Sequence, residues 1–120
     1  SNFIIVDAAM NDLIRPTLYE AHHDVELVNQ SNLPPITGDI VGPVCETGDY
    51  LAKRRTIAGV KEGDLLSIMS AGAYGAVMAS TYNSRPLIPE VLVDGPRWHV
   101  IRPRKSIEEL LALDSVPDWI

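Results

Sequence analysis

Nine prolines and eight glycines divide this chain of 120 residues into segments that leave room for little beyond short strands and single helical turns. Proline removes a backbone donor and fixes φ, and glycine weakens the interior of any regular element, so both mark ends and turns. Between these marks the apolar residues come in short, β-branched runs. Residues 3–9, "FIIVDAA", read as a buried strand closed by Asp7 and small residues. In "NDLIRP", Asn11 is a cap-like residue, a single helical turn follows, and Pro16 is read as its stop. The alternation in "HDVELV" (23–28) suits a half-buried strand, and "NQSNLPPITGD" is a loop.

Further strands are predicted at "DIVGPV", at "LAKRRTI" with "KEGD" as the following turn, and at "DLLSIMS" (64–70). That last run leads into "AGAYGAVMASTYN", whose small residues permit close backbone approach. Residues 89–94 and 98–102 flank "VDGPR", a hairpin signal, and "SIEELLAL" opens with the capping box Ser106-x-x-Glu109. Six or seven short strands with a few short helices give a mainly β domain of the sandwich or Greek-key barrel-like kind. A single domain over 3–120 is expected, with Ser1 and Asn2 as an expression scar.

Several functional classes are disfavoured. The longest apolar runs, "FIIV" and "EVLV", fall far short of the roughly 20 residues a membrane span needs, and the N-terminus carries no leader pattern. A net charge of −6 is the wrong sign for a protein that tracks phosphates, despite the local clusters "AKRR" and "RPRK". The one cysteine, Cys45, cannot form an internal disulfide and fits a reducing, cytoplasmic setting. No histidine pair has metal-ligand spacing on a helix, and no metal is expected.

Cys45 lies in "GPVCETGD" beside Glu46. By itself such a cysteine is more often a small buried hydrophobe than a reagent. A cysteine protease using His22 or His23 as base is disfavoured, because the neighbouring carboxylate opposes the thiolate a nucleophile needs. Arg15 and Tyr19 are four apart and share a face if the local turn is helical, where Arg15 could grip a carboxylate in two-point fashion or form a surface salt bridge. Tyr74, between the glycines of "GAYG", could present its hydroxyl to a phosphate or pack in the core. "TYNSRP" combines donors with a rigid turn, and His99 sits in an alternating strand where a surface or satisfied histidine is expected in place of a ligand.

Taken together and in order, "VDAAMNDLIRPTLYEAHH", "IVGPVCETGD", "GDLLSIMSAGAYG" and "STYNSRPLIPEVLVDG" resemble the C-terminal β-domain of the diaminopimelate decarboxylase family, over nearly the whole chain. One departure is Ala9, where the family has glycine. The resemblance implies a pyridoxal-phosphate enzyme that converts meso-diaminopimelate to L-lysine and carbon dioxide. It places the cofactor-bearing lysine in an N-terminal (β/α)₈ barrel outside these residues, and the active site at a homodimer interface. Cys45 is then the proton donor, a task that a thiol kept protonated by Glu46 suits. Arg15, Tyr19 and Glu46 are implied substrate contacts, and Tyr74 a contact to cofactor and substrate. The implied partners are the barrel, a second subunit and the small-molecule substrate, with no nucleic acid and no membrane. A related ornithine or arginine decarboxylase domain, and a free-standing β interaction module without chemistry, are the alternatives. The "RPTLY" motif favours diaminopimelate, whose second amino-acid head group needs a grip.

Overall fold

The computed structural model describes residues 2–120; of the two residues expected to be a scar, Ser1 lies outside the described residues. The chain falls into two compact units, residues 1–79 and 80–120. Among the described residues the elements are mainly β, as expected, and the sheets stay open and do not close into a barrel.

In the first unit, β1 (Phe3–Ile5), β3 (Ile36–Val41) and β4 (Tyr50–Ile57) form one sheet in the order β1-β3-β4. β2 (Val25–Leu27) and β5 (Leu66–Ile68) pair antiparallel in a second. β1 runs parallel to β3, with Phe3 opposite Asp39 and Ile5 opposite Val41, so both strands end at the same edge of the sheet. Asn2 extends this pairing, since its carbonyl accepts from the Asp39 N–H at 3.0 Å. The strand expected over 3–9 is therefore shorter and only half-buried. Ile4 faces the core, while Phe3 and Ile5 lie exposed on an edge strand.

Side chains from both sheets meet in one core of Ile4, Leu13, Val25, Ile40, Leu51, Ala52 and Ile57. Ile40 and Leu51 are the largest fully buried side chains, each worth about 1.5–3 kcal/mol relative to exposure. The β3–β4 ladder shifts register around Ile40. There Arg54 adopts φ 48°, and its N–H donates to Asp39 Oδ1 at 2.7 Å.

Two helices complete this unit. α1 (Arg15–Tyr19) starts where the sequence reading placed a stop: Pro16 sits in its first turn, where the missing N–H has no partner to lose. It ends at Glu20, whose left-handed backbone (φ 55°) lets its N–H reach the Arg15 carbonyl. α2 (Gly72–Met78) forms from the small-residue stretch. Gly75 is buried there, and a Cβ on it would come within 3.3 Å of Leu13 Cδ1, so glycine lets the helix settle against the turn that precedes α1.

The second unit opens with a 3₁₀ turn at Tyr82–Ser84 in the "TYNSRP" segment. The expected hairpin follows as β6 (Glu90–Asp94) and β7 (Arg97–Arg102), turning at Gly95 with φ 58°. Asp94 and Arg97 form an ion pair across that turn, and His99 is exposed as anticipated. α3 (Ile107–Leu111) carries the anticipated capping box, with Ser106 Oγ accepting from the Glu109 N–H at 3.1 Å and Glu109 Oε1 from the Ser106 N–H at 3.3 Å.

Candidate active site

Because β1 and β3 are parallel neighbours, the segments that follow them emerge at the same sheet edge. The first, residues 6–20, ends in α1 with Arg15 and Tyr19; the second, 42–49, carries Cys45 and Glu46. α1 is a single turn long, so its residues four apart face the same way. Arg15 Cζ lies 5.9 Å from the Tyr19 ring centroid, and 5.2 Å from that of Tyr74 on α2. Both rings are open to solvent, Tyr19 at 60% and Tyr74 at 62%, which decides against core packing for Tyr74. Each such contact is worth about 0.5–1 kcal/mol at an exposed position, enough to bias the guanidinium's orientation. A guanidinium placed over ring faces engages them through its charge, and its N–H donors can still serve an anion. The donor set, one guanidinium flanked by two phenols, suits a ligand bearing carboxylate or phosphate groups.

The Cys45 loop is tightly tied. Val44 turns inward and is buried, while Cys45, a free cysteine, and Glu46 are exposed, so the inert-core reading of this thiol does not hold. Backbone bonds from Glu46 to Val44 (2.8 Å), from Asp49 to Glu46 (3.0 Å) and from Gly42 to Asp49 (3.1 Å) close the loop on itself. Thr17 of α1 donates its hydroxyl to the Gly48 carbonyl, and the Tyr50 hydroxyl donates to the Pro16 carbonyl at 3.3 Å. The structure thus gathers Arg15, Tyr19 and Tyr74 by direct ring contact and links Cys45 and Glu46 to them through α1.

Sequence reasoning passed over Asp49. It is 4% exposed, and its carboxylate accepts the N–H groups of Met10 at 2.7 Å and Val44 at 2.6 Å. Nothing in the spacing of the "ETGD" aspartate announces partners five and 39 residues away. The two adjacent histidines part company. His22 is exposed and contacts Asp24 and Arg55, whereas His23 is buried with Nδ1 2.9 Å from the Met69 carbonyl. Neither set of contacts involves Cys45. Ala9, the departure from the family motif, is fully buried and lies outside the left-handed region, so its Cβ costs the backbone nothing.

Two small sheets share one core, with Arg15 and the Cys45 loop following the strands of one of them and Tyr74 on α2, and this domain belongs to a known class. The pyridoxal-dependent decarboxylase C-terminal sheet domain matches residues 1–72, and the chain belongs to that family. Within it, the chain is 54% identical over 120 residues to the diaminopimelate decarboxylase of Zymomonas mobilis, covering all of this chain and 28% of that protein. It is 60% identical over 111 residues to the diaminopimelate decarboxylase of Neisseria meningitidis, covering 92% of this chain and 27% of that one. The crystal structure of diaminopimelate decarboxylase from Helicobacter pylori complexed with L-lysine is similar with a TM-score of 0.86 and 42% identity, over 92% of this chain and 27% of that one. The chain spans a little over a quarter of the length of these relatives.

Proposed function

We propose that these residues form part of the active site of a cytoplasmic, pyridoxal-phosphate-dependent decarboxylase that converts meso-diaminopimelate to L-lysine and carbon dioxide. The observation that carries the reading is Arg15 lying over both the Tyr19 and Tyr74 rings, on a helix to which the Cys45–Glu46 loop is bonded through Thr17. High identity to diaminopimelate decarboxylases, one of them solved with L-lysine, supports the choice of substrate and product.

In this reading the chain works with a barrel domain and a second subunit, which bring the cofactor and the lysine that holds it. Pyridoxal phosphate, when bound, supplies an electron sink for the pair left on carbon as carbon dioxide departs. The Tyr74 phenol contacts cofactor and substrate. Arg15 receives the carboxylate at the non-reacting end of the substrate through its in-plane N–H edge, with Tyr19 beside it, and Glu46 receives the amino group at that end. Cys45 then acts as general acid: its S–H bond breaks, the proton passes to the substrate α-carbon, and the new C–H bond completes the product.

Carbon dioxide release by the full-length protein tests the assignment. Turnover of meso-diaminopimelate, with little from ornithine or arginine, is expected, and a preference for either of the latter overturns the substrate. Cys45→Ala is expected to lower kcat by about 10²- to 10⁴-fold, the usual contribution of a general acid. An unchanged rate removes Cys45 from that role.

A further inference from the structure

Asp49 is built into the Cys45 loop more deeply than any turn requires. One carboxylate oxygen accepts from Met10, in the segment leading to Arg15 and Tyr19, and the other from Val44, the residue directly before the thiol. Its own N–H donates to the Glu46 carbonyl, and its carbonyl accepts from Gly42. The carboxylate fills space that Gly42 leaves open: a Cβ at position 42 would lie 2.5 and 2.6 Å from its two oxygens and 2.6 Å from the Ala8 carbonyl. A two-ended acceptor is needed because both partners are N–H donors. An amide of the same size offers an acceptor at one end only and a third donor at the other.

We propose that Asp49 is a positioning residue that, through the Val44 N–H, fixes Cys45 relative to the Arg15–Tyr19 helix, acting on proton transfer through the thiol; the catalytic part of this rests on the reading of Cys45 as the acid. A general acid displaced by about 1 Å loses on the order of 10²-fold in rate even when the ligand still binds.

The test uses the full-length enzyme with Asp49→Asn, and Asp49→Glu as a second variant that keeps two acceptor oxygens but moves them. Expected are a fall in kcat of about 10- to 100-fold and a KM for meso-diaminopimelate within about twofold of the parent. The solvent deuterium isotope effect on kcat should rise. Placed on the Cys45→Ala background, Asp49→Asn should add no further loss, because both changes act at one step. Losses that multiply, or a raised KM together with weakened cofactor binding, overturn the proposal. If Asp49→Asn does not fold, Asp49→Glu decides by the same readings. A separate arm follows alkylation of Cys45 by iodoacetamide, read by peptide mass spectrometry. A clear change in the Cys45 rate in Asp49→Asn supports positioning, and an unchanged rate overturns it. Should Cys45→Ala retain full activity, the acid assignment falls, and the alkylation arm alone judges whether Asp49 places the loop.

Discussion

Arg15 shows how much chemistry one side chain gains from two neighbours. Its guanidinium lies over the Tyr19 and Tyr74 rings and carries the planar, forked donor geometry that matches a carboxylate. Lysine keeps the charge and loses both the fork and the stacking. Arg15→Lys in the full-length enzyme is therefore expected to raise KM for meso-diaminopimelate by about tenfold or more, with a smaller change in kcat. Steady-state kinetics check this, and an unchanged KM would remove the carboxylate role. Arg15, Tyr19, Cys45, Glu46 and Tyr74 could be put forward from the sequence because reactive side chains there stand in distinctive motifs. Asp49 could not. Its work is done on backbone N–H groups, which every residue type except proline carries, so the partners leave no trace in the letters. His23 is a similar case, since its burial against the Met69 carbonyl follows from strand pairing, not from its own neighbourhood.

Among the elements, legibility followed the range of the interactions that decide each one. The α3 capping box lies within four residues and was readable, as was the hairpin turning at Gly95. α2 was not, because Gly72 and Gly75 are poor helix formers and the helix forms against Leu13, a residue remote in sequence. Pro16 was read as a stop when it sits in the first turn, since the same residue serves both ends and only the path of the chain decides. The capping box also makes a titration expected. The Ser106 N–H foremost, and then the Lys105 ammonium 3.4 Å away, hold the Glu109 carboxyl below the ordinary glutamate range. A carboxyl lowered on folding favours the folded state fully above its unfolded value. That contribution fades as pH falls through the lower folded one. NMR titration should place Glu109 below an unfolded-chain glutamate, and Lys105→Gln should move it upward. An ordinary value in the parent would mean the box is open in solution.

At the scale of the whole molecule, the mainly β character was evident from the spacing of prolines and glycines, but the parallel pairing of β1 with β3 was not. Alternation and turn signals say where strands are, and parallel partners are joined by long connections that carry no local mark. The proposed assembly has its own test. Subunits bearing Cys45→Ala, mixed with subunits whose barrel lacks the cofactor-holding lysine, should recover activity that neither has alone, because a mixed dimer keeps one intact shared site. No recovery after verified exchange of subunits would argue against donation of Cys45 across the interface. The parallel pair also bears on how the chain is made. β1 leaves the ribosome well before residues 39–41, its hydrogen-bonding partners, and synthesis at about 5–20 residues per second stretches that interval to seconds. For that time the nascent strand offers unpaired backbone flanked by Phe3 and Ile5, which stay exposed even after folding. The pairing that brings the two site segments to one edge thus makes early synthesis of this domain the moment when a chaperone has most to protect.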